Sequence, residues 1–479
     1  MKRSNVLTIV VSALLIATGI FAGCTPATEP VTEPSDEAPE PTPTTEPTPE
    51  PVEKSFTLIA ETIDWGEPIT SMEVVVGEVA AKEAYAPEDF VLGTTVTYMD
   101  YTLGKKVTED ITRVVTEITA VGDKLICKLQ ATPLDPKCTA YSDSVDVYTL
   151  SLKGEDIPCA GLVSPLVDAF MEGNTANTNY RLFAPETEGP APMVLWLHGA
   201  GEVGTDNRLP ISANLVTNWI LPENQVIFGE NGAYVLAPQC DGTRMGHDPA
   251  AVKAIMDEVI AKYNVDTTRI YVGGCSMGGM STIDMVTAYP DLFAAAFPIC
   301  CASILQPEAA SALAESGTVT YFIHCIADHV CTVANSMKSY MNLEETGAKV
   351  HSTMFDNVMF NGLPEEYIAM AAHNSWVYVH NNFDANGDDY DGTYYHDGMA
   401  EAELVQKYYK GELYDWTKLD RSVEGFSYDD QSTWIYNGEA YDATQETQTK
   451  ETVSCLSVKP ETLGYQDFFS WLAAQKLGE

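Results

Sequence analysis

The segment Arg269-Ile-Tyr-Val-Gly-Gly-Cys-Ser-Met-Gly-Gly-Met280 constrains this chain more than any other part of it. A short apolar, β-branched run, Ile270 to Val272, feeds directly into Gly274-Cys-Ser-Met-Gly278. A G-x-S-x-G pattern at the end of a strand and the start of a helix predicts a very tight turn. Side chains at the flanking positions would collide, so glycine is required on both sides. The central Ser276 is then held in a strained conformation that lifts its hydroxyl clear of the backbone. The helix beginning beneath it offers N–H groups and a positive dipole end to an oxyanion. Ser276 is the expected nucleophile, and the backbone N–H of Met277 the first oxyanion donor.

From Tyr180 onward, apolar strand-like runs alternate with helix-like stretches. The expected strands are Tyr180–Phe183, Met193–Leu197, Ala233–Ala237, Arg269–Gly273, Ala294–Ile299, Val319–Ile323 and Val350–Phe355. Asp248-Pro249 opens a helix with Val252, Ile255, Met256, Val259 and Tyr263 on its apolar face; Asp at the cap and Pro in the first turn are strong start signals. Alternation of this kind predicts an α/β fold, a mostly parallel sheet with helices on both faces. Ligands bind beyond the carboxyl ends of such strands, where Ser276 would sit.

A serine nucleophile needs a histidine base and an acid that fixes the tautomer of that histidine. The expected chain order is serine, acid, histidine. Asp328 follows the run Val319–Ile323 in the turn Cys325-Ile-Ala-Asp-His-Val330 and is the expected acid. Of eight histidines, His198, His247 and His324 precede the acid, His329 adjoins it, and His351 falls inside a strand. His373, after the last strand, is the expected base, with His380 and His396 as alternatives. A second oxyanion donor comes from His198-Gly-Ala-Gly-Glu202, where Ala200 or Gly201 would supply the N–H.

The remainder of the chain bears on where this chemistry takes place. Lys2 and Arg3 precede an apolar run from Val6 to Phe21 that ends in Ala22-Gly23-Cys24, the plan of an export signal over residues 1–24. Ala-Gly-Cys resembles a bacterial lipobox, with Phe21 where Leu is usual. This implies lipidation at Cys24, a membrane anchor and an extracytoplasmic location on the outer face of the cell membrane. Residues 25–54 are mostly Thr, Pro and Glu; they cannot bury enough apolar surface to order themselves and read as a stalk. The net charge of −43 argues against nucleic acid as a partner. Of eleven cysteines, Cys275, Cys300, Cys301 and Cys325 lie in apolar runs, where Cys behaves as a small buried hydrophobe. No disulfide framework is evident, and no metal-binding motif or cofactor fingerprint occurs.

Residues 55–155 alternate apolar and polar positions in short runs broken by turns, as in Ser55–Ile63, Ser71–Val76, Thr94–Leu103, Arg113–Ala120 and Lys124–Leu129. That pattern predicts an all-β sandwich. The segment contains no His and resembles the Ig-like domain that precedes the hydrolase domain in some exported bacterial esterases.

Four segments, His198–Asn207, Ala237-Pro-Gln-Cys240, Thr268–Met280 and His373-Asn-Ser-Trp376, together resemble one family. It is the group of exported α/β-hydrolases labelled predicted peptidases, related to polyhydroxybutyrate-depolymerase-like and feruloyl-esterase-like enzymes. The resemblance covers about residues 160–382 of a catalytic domain spanning 160–479. It implies an α/β-hydrolase fold, a Ser276–Asp328–His373 triad, no cofactor, and hydrolysis of a small ester or an esterified polysaccharide. A serine peptidase, or an inactive surface binding protein, is the alternative. One departure is that residues 358–370 are inserted before His373, and Ala372 stands where the family usually has Gly. Residues 383–462 form an extra segment; its Asp384-Ala-Asn-Gly-Asp-Asp-Tyr-Asp391 resembles a calcium loop, but Asp389 stands where Gly is required and Tyr395 where Glu is required. Phe468, Trp471 and Leu472 share one helical face, which predicts a closing helix packed on the sheet.

Overall fold

The computed structural model describes residues 53–64, 66–77, 85–100, 105–131, 148–325, 328, 330–355, 372–383, 426–428, 434–436, 439–440 and 463–478. The export signal, Cys24, most of the stalk, the 384–391 loop and His396 lie outside the described residues.

Nine strands come first: β1 (Ser55–Ala60), β2 (Ile69–Val75), β3 (Phe90–Asp100), β4 (Lys105–Arg113), β5 (Val115–Val121), β6 (Lys124–Leu129), β7 (Tyr148–Leu152), β8 (Glu155–Ile157) and β9 (Cys159–Val163). They form a five-stranded sheet ordered β5-β6-β2-β1-β9 and a four-stranded sheet ordered β4-β3-β7-β8. Residues alternate between the faces of each strand, so Phe56, Leu58 and Ala60 of β1 meet Phe90, Leu92, Leu150 and Leu152 from the other sheet in one core. Of the run expected over Arg113–Ala120, Val115–Ala120 lies in β5 and Arg113 closes β4. The chain leaves one sheet at Arg113 and enters the other at Val115, while buried Arg113 donates to the carbonyls of Ile69 and Gln130.

A third sheet has eight strands: β10 (Met171–Thr175), β11 (Thr178–Phe183), β12 (Ala191–Leu197), β13 (Tyr234–Gln239), β14 (Val265–Cys275), β15 (Ala295–Ile299), β16 (Val319–Cys325) and β17 (Val350–Phe355). Their spatial order is β10-β11-β13-β12-β14-β15-β16-β17. β10 and β11 are antiparallel to their neighbours, and the rest are parallel. Every residue of β12 is buried because both sheet faces are covered. Met193, Leu195 and Leu197 point into one core, and Val194 and Trp196 into the other.

The first core is roofed by helices Pro249–Lys262, Met277–Ala288, Pro307–Ser316 and Val333–Thr346. The Asp248 side chain caps the first of these by accepting from the Ala250 N–H, as Asp before Pro predicts. The second core is closed by helix Phe468–Ala473, whose Phe468, Phe469, Trp471 and Leu472 are all buried. Phe469 stacks on Trp219 at 4.0 Å. The Phe468 N–H donates to the Phe383 carbonyl and the Phe469 N–H to Asn382, so the ends of the intervening segment meet. Within that segment the described backbone forms three short strands, Phe426–Tyr428, Trp434–Tyr436 and Glu439–Ala440.

The sandwich and the α/β region form one compact unit. Glu67, in the turn before β2, is 5% exposed and accepts from Arg208 and from the Ser164 hydroxyl. Thr62 contacts Thr217, and Asp64 accepts from Asn381.

Candidate active site

β14 ends at Cys275 and a helix starts at Met277, with Ser276 between them at φ 56°, ψ −116°. That conformation costs a non-glycine residue about 1–3 kcal/mol and persists only where its surroundings enforce it. The surroundings are close. A Cβ on Gly274 would lie 2.3 Å, and one on Gly278 1.9 Å, from the Leu197 carbonyl oxygen. Both glycines are needed because the end of β12 packs directly against the turn. The Ser276 N–H donates to the Ile299 carbonyl at 3.0 Å and to Cys300 Sγ at 3.2 Å. Cys300 itself has a left-handed φ of 39°.

Asp328 lies just beyond β16, fully buried. Its Oδ1 accepts the N–H groups of Val330 and Cys331 at 2.8 and 3.0 Å, and its Oδ2 meets His373 Nδ1 at 2.8 Å. His324 Nε2 is 3.3 Å from the same oxygen. Burial alone would raise the Asp328 carboxyl. The charges and hydrogen bonds of His373 and His324 outweigh it and hold the group well below the usual carboxylate range. An ionised acid facing Nδ1 assigns the proton to that nitrogen and leaves Nε2 of His373 as the acceptor.

His373 is reached after β17 and is followed at once by helix Trp376–His380, with its ring edge-on to Trp376 at 5.5 Å. Cys300 Sγ, an Asp328 oxygen and a His373 nitrogen all lie within 4.8 Å of one another. Ser276, whose N–H rests on that same sulfur, therefore borders the Asp328–His373 pair at the carboxyl ends of β14, β15 and β16. Ser276 and His373 are not hydrogen-bonded to each other in this geometry. The hydrogen-bonding neighbour of Ser276 Oγ is Cys331 Sγ at 4.0 Å. Such contacts commonly tighten only with substrate bound.

β12 runs through His198 and Gly199 into a single 3-10 turn, Ala200–Glu202. A Cβ on Gly199 would sit 3.4 Å from the Cys275 carbonyl oxygen, whereas one on Gly201 would meet nothing within 4 Å. Gly199 thus abuts the serine turn, with Ala200 next to it and exposed Gly201 one residue farther along. His198 is structural: its Nδ1 pairs with the Gly199 carbonyl, its Nε2 accepts the Cys240 N–H at 3.0 Å, and burial lowers it to about 4.

His380 is no base for Ser276. It is fully buried, packs on Trp196 and accepts from Trp219 Nε1 at 2.7 Å, and burial lowers it to about 3.

Two features of the site were missed by sequence reasoning. Glu202 lies within the glycine-rich loop, which was read for its glycines alone. Burial raises its carboxyl to about 7, only partly offset by a hydrogen bond from Asn214 and by His373 nearby. Its Oε2 has no hydrogen-bond partner among the described residues. The thiols of Cys275, Cys300 and Cys331 crowd Ser276; the first two occur in strand-like runs that announce burial but not position. No disulfide joins any two of the eight described cysteines. Among the described residues, one other group has metal-ligating atoms within the same distance, His198, Cys240 and His247.

Comparison with known proteins agrees with this architecture. A family model described as Phospholipase/Carboxylesterase matches residues 183–377. Feruloyl esterase B of Neurospora crassa is 30% identical over 131 residues, covering 26% of this chain and 43% of that protein. Poly(3-hydroxyalkanoate) depolymerase C of Paucimonas lemoignei is 28% identical over 120 residues, covering 23% and 27%. The chain thus spans less than half the length of either relative. A solved thermostable esterase superposes with a TM-score of 0.55 at 24% identity, over 68% of this chain and 96% of that one. The fold is that of the α/β-hydrolases, and residues 183–377 match the phospholipase/carboxylesterase family within it.

Proposed function

We propose that this chain is an extracytoplasmic serine hydrolase that cleaves carboxylic esters through an acyl-enzyme. The observation that carries this reading is the Asp328–His373 hydrogen bond of 2.8 Å beside a serine held at φ 56°. Nε2 of His373 takes the Ser276 proton as Oγ attacks the ester carbonyl. The oxyanion is held by the N–H of Met277 and by one from Ala200 or Gly201. His373 returns the proton to the leaving alcohol, and water then attacks the acyl-enzyme by the same route. Esters are favoured over peptides because an alcohol leaves with less protonation than an amine. The matches to a feruloyl esterase and a polyhydroxyalkanoate depolymerase support this choice. They also support a small ester or an esterified polysaccharide as substrate.

The N-terminal sandwich is a positioning module. Its strand order sets β5-β6-β2-β1 against β4-β3-β7-β8, in keeping with an Ig-like arrangement. Residues 1–24 deliver the protein across the membrane, and a lipid on Cys24 keeps it there on the 25–54 stalk.

A fluorophosphonate probe, followed by peptide mapping, tests the chemistry. The label is expected on Ser276, together with turnover of acetyl, butyryl or hydroxycinnamoyl esters. No label on Ser276 would make the chain a binding protein, and turnover of peptides alone would make it a peptidase.

A further inference from the structure

We propose that Glu202 is a positioning residue for ester hydrolysis: its side chain is a spacer that sets the gap between the two walls of the oxyanion hole. This role rests on the serine hydrolase reading above, and no step of the triad chemistry uses Glu202.

One wall is the turn after β14, where the Met277 N–H opens a helix. The other is the loop after β12, where Ala200 or Gly201 supplies the second N–H. The walls touch first where a Cβ on either Gly274 or Gly278 would run into the Leu197 carbonyl oxygen. They meet again through Glu202. A Cβ on Gly199 would lie 3.2 Å from Glu202 Oε2, and 3.4 Å from both the carbonyl oxygen and the sulfur of Cys275. The carboxyl and Cys275 therefore border the same small space beside Gly199. Gly199 directly precedes Ala200, and Cys275 directly precedes Ser276. Asn214 ties the two sides together: its side chain bonds the Glu202 carboxyl, and its Nδ2 lies 3.8 Å from Cys275 Sγ. The Glu202 carbonyl accepts from Gln239 Nε2 at 2.9 Å, so the backbone of the spacer is anchored on β13.

The spacer works by shape. Its Oε2 is buried with no hydrogen-bond partner among the described residues. His198 Nδ1 is 4.0 Å from that oxygen, in a ring that burial lowers to about 4, and burial pushes the Cys275 thiol well up. Burial likewise raises the Glu202 carboxyl to about 7. A carboxyl lodged among neutral groups can be replaced by an amide of the same shape. Donor placement matters because a misplacement of about 1 Å costs about 10²-fold in rate.

Steady-state turnover of p-nitrophenyl acetate by the full-length protein at neutral pH, with thermal melts alongside, tests this role. Glu202→Ala should lower kcat and kcat/KM together by about 10²-fold, the mark of an interaction made only in the transition state. Glu202→Gln should restore kcat to within about 3-fold of the parent. A residue that only supported the fold would shift the melt and leave kcat of the folded protein alone. Gly199→Ala is the second variant, in case Glu202→Ala does not fold. The backbone there, at φ −78° and ψ −175°, accepts alanine, and the added methyl presses on Oε2 and Cys275. Its kcat should fall about 10-fold with KM unchanged. Parental kcat in folded Glu202→Ala or Gly199→Ala overturns the role. A Glu202→Gln enzyme as slow as Glu202→Ala also overturns it, since the charge would then be the working part. A change in KM alone overturns it by making Glu202 a substrate contact. A parent that turns over no ester and takes no fluorophosphonate label refutes the hydrolase reading and this role with it; an active parent with unaffected variants refutes this role alone.

Discussion

The Glu67 carboxylate accepts from Nε of Arg208 at 2.9 Å, and its other oxygen meets Nη2 of the same guanidinium. The contact joins the β-sandwich to the glycine-rich loop after β12, which carries the proposed oxyanion donors. Arg208 directly follows Asn207, whose N–H donates to Gln239 and whose side chain donates to the Tyr180 carbonyl. The far end of the 199–208 loop is therefore fixed from both domains.

Removing one partner of such a pair strands the other without its counter-charge. Glu67→Ala should destabilise the protein by about 3–5 kcal/mol. Arg208→Ala should cost a similar amount, and the double variant clearly less than the two together. Urea unfolding of the four proteins measures this. Strict additivity would show that the bridge stabilises nothing.

Ser276→Ala should lower kcat by about 10⁶ while leaving the unfolding midpoint nearly unchanged, because among the described residues the hydrogen-bonding neighbour of the hydroxyl is the Cys331 sulfur 4.0 Å away. His373→Ala should be comparably damaging, since members of a triad act as a unit. His380→Ala should separate from it by acting on stability. The Trp219 N–H loses its acceptor, which costs about 1–3 kcal/mol in a buried setting. Steady-state kinetics paired with thermal melts distinguish the two histidines. If His396→Ala proves as damaging to turnover as Ser276→Ala while His373→Ala stays active, the base lies in the 383–462 segment.

Much of the α/β region could be read from sequence because its strands are buried on both faces and need no polar positions. β12 and the Ile270–Val272 stretch of β14 announce themselves as apolar runs, and Asp248-Pro249 marks its helix by capping chemistry alone. The sandwich was harder. β4 carries Lys105, Lys106, Glu109 and Asp110 in its sequence, so hydrophobicity does not single it out, and β8 has only three residues. For the site, chain order and turn chemistry led to Ser276, Asp328 and His373, which the structure gathers in one cluster. The thiol of Cys300 beneath Ser276 could not be foreseen. Its position depends on how β15 registers against β14, pairing Cys275 with Ile299, and no local pattern encodes that.

Cys24→Ser should abolish lipidation and release the exported protein into the medium. Fractionation of cells followed by mass determination of the mature N-terminus measures this. A variant that stays as firmly membrane-bound as the parent would make the apolar N-terminus an uncleaved anchor.

Glu202 should impose a pH dependence on stability whose sign is fixed by its environment. Its carboxyl rises from 4.5 to about 7 on folding, chiefly through burial, with the His198 ring 4.0 Å away and His373 nearby. A raised acid means that the folded state holds its proton more tightly than the unfolded state. The stabilising contribution is therefore whole below pH 4.5 and is lost as pH rises through about 7. At 1.36 kcal/mol per unit, the loss is on the order of 3 kcal/mol. Glu202→Gln keeps the shape and a hydrogen-bonding head but cannot ionise. It should match the parent at pH 4.5 and be the more stable protein at pH 8, every other titrating group being common to both. Melting curves of the two at both pH values measure this difference. A gap that stays constant from acid to alkaline pH would mean that Glu202 is already ionised in the folded protein, with water or a cation reaching its unpartnered oxygen.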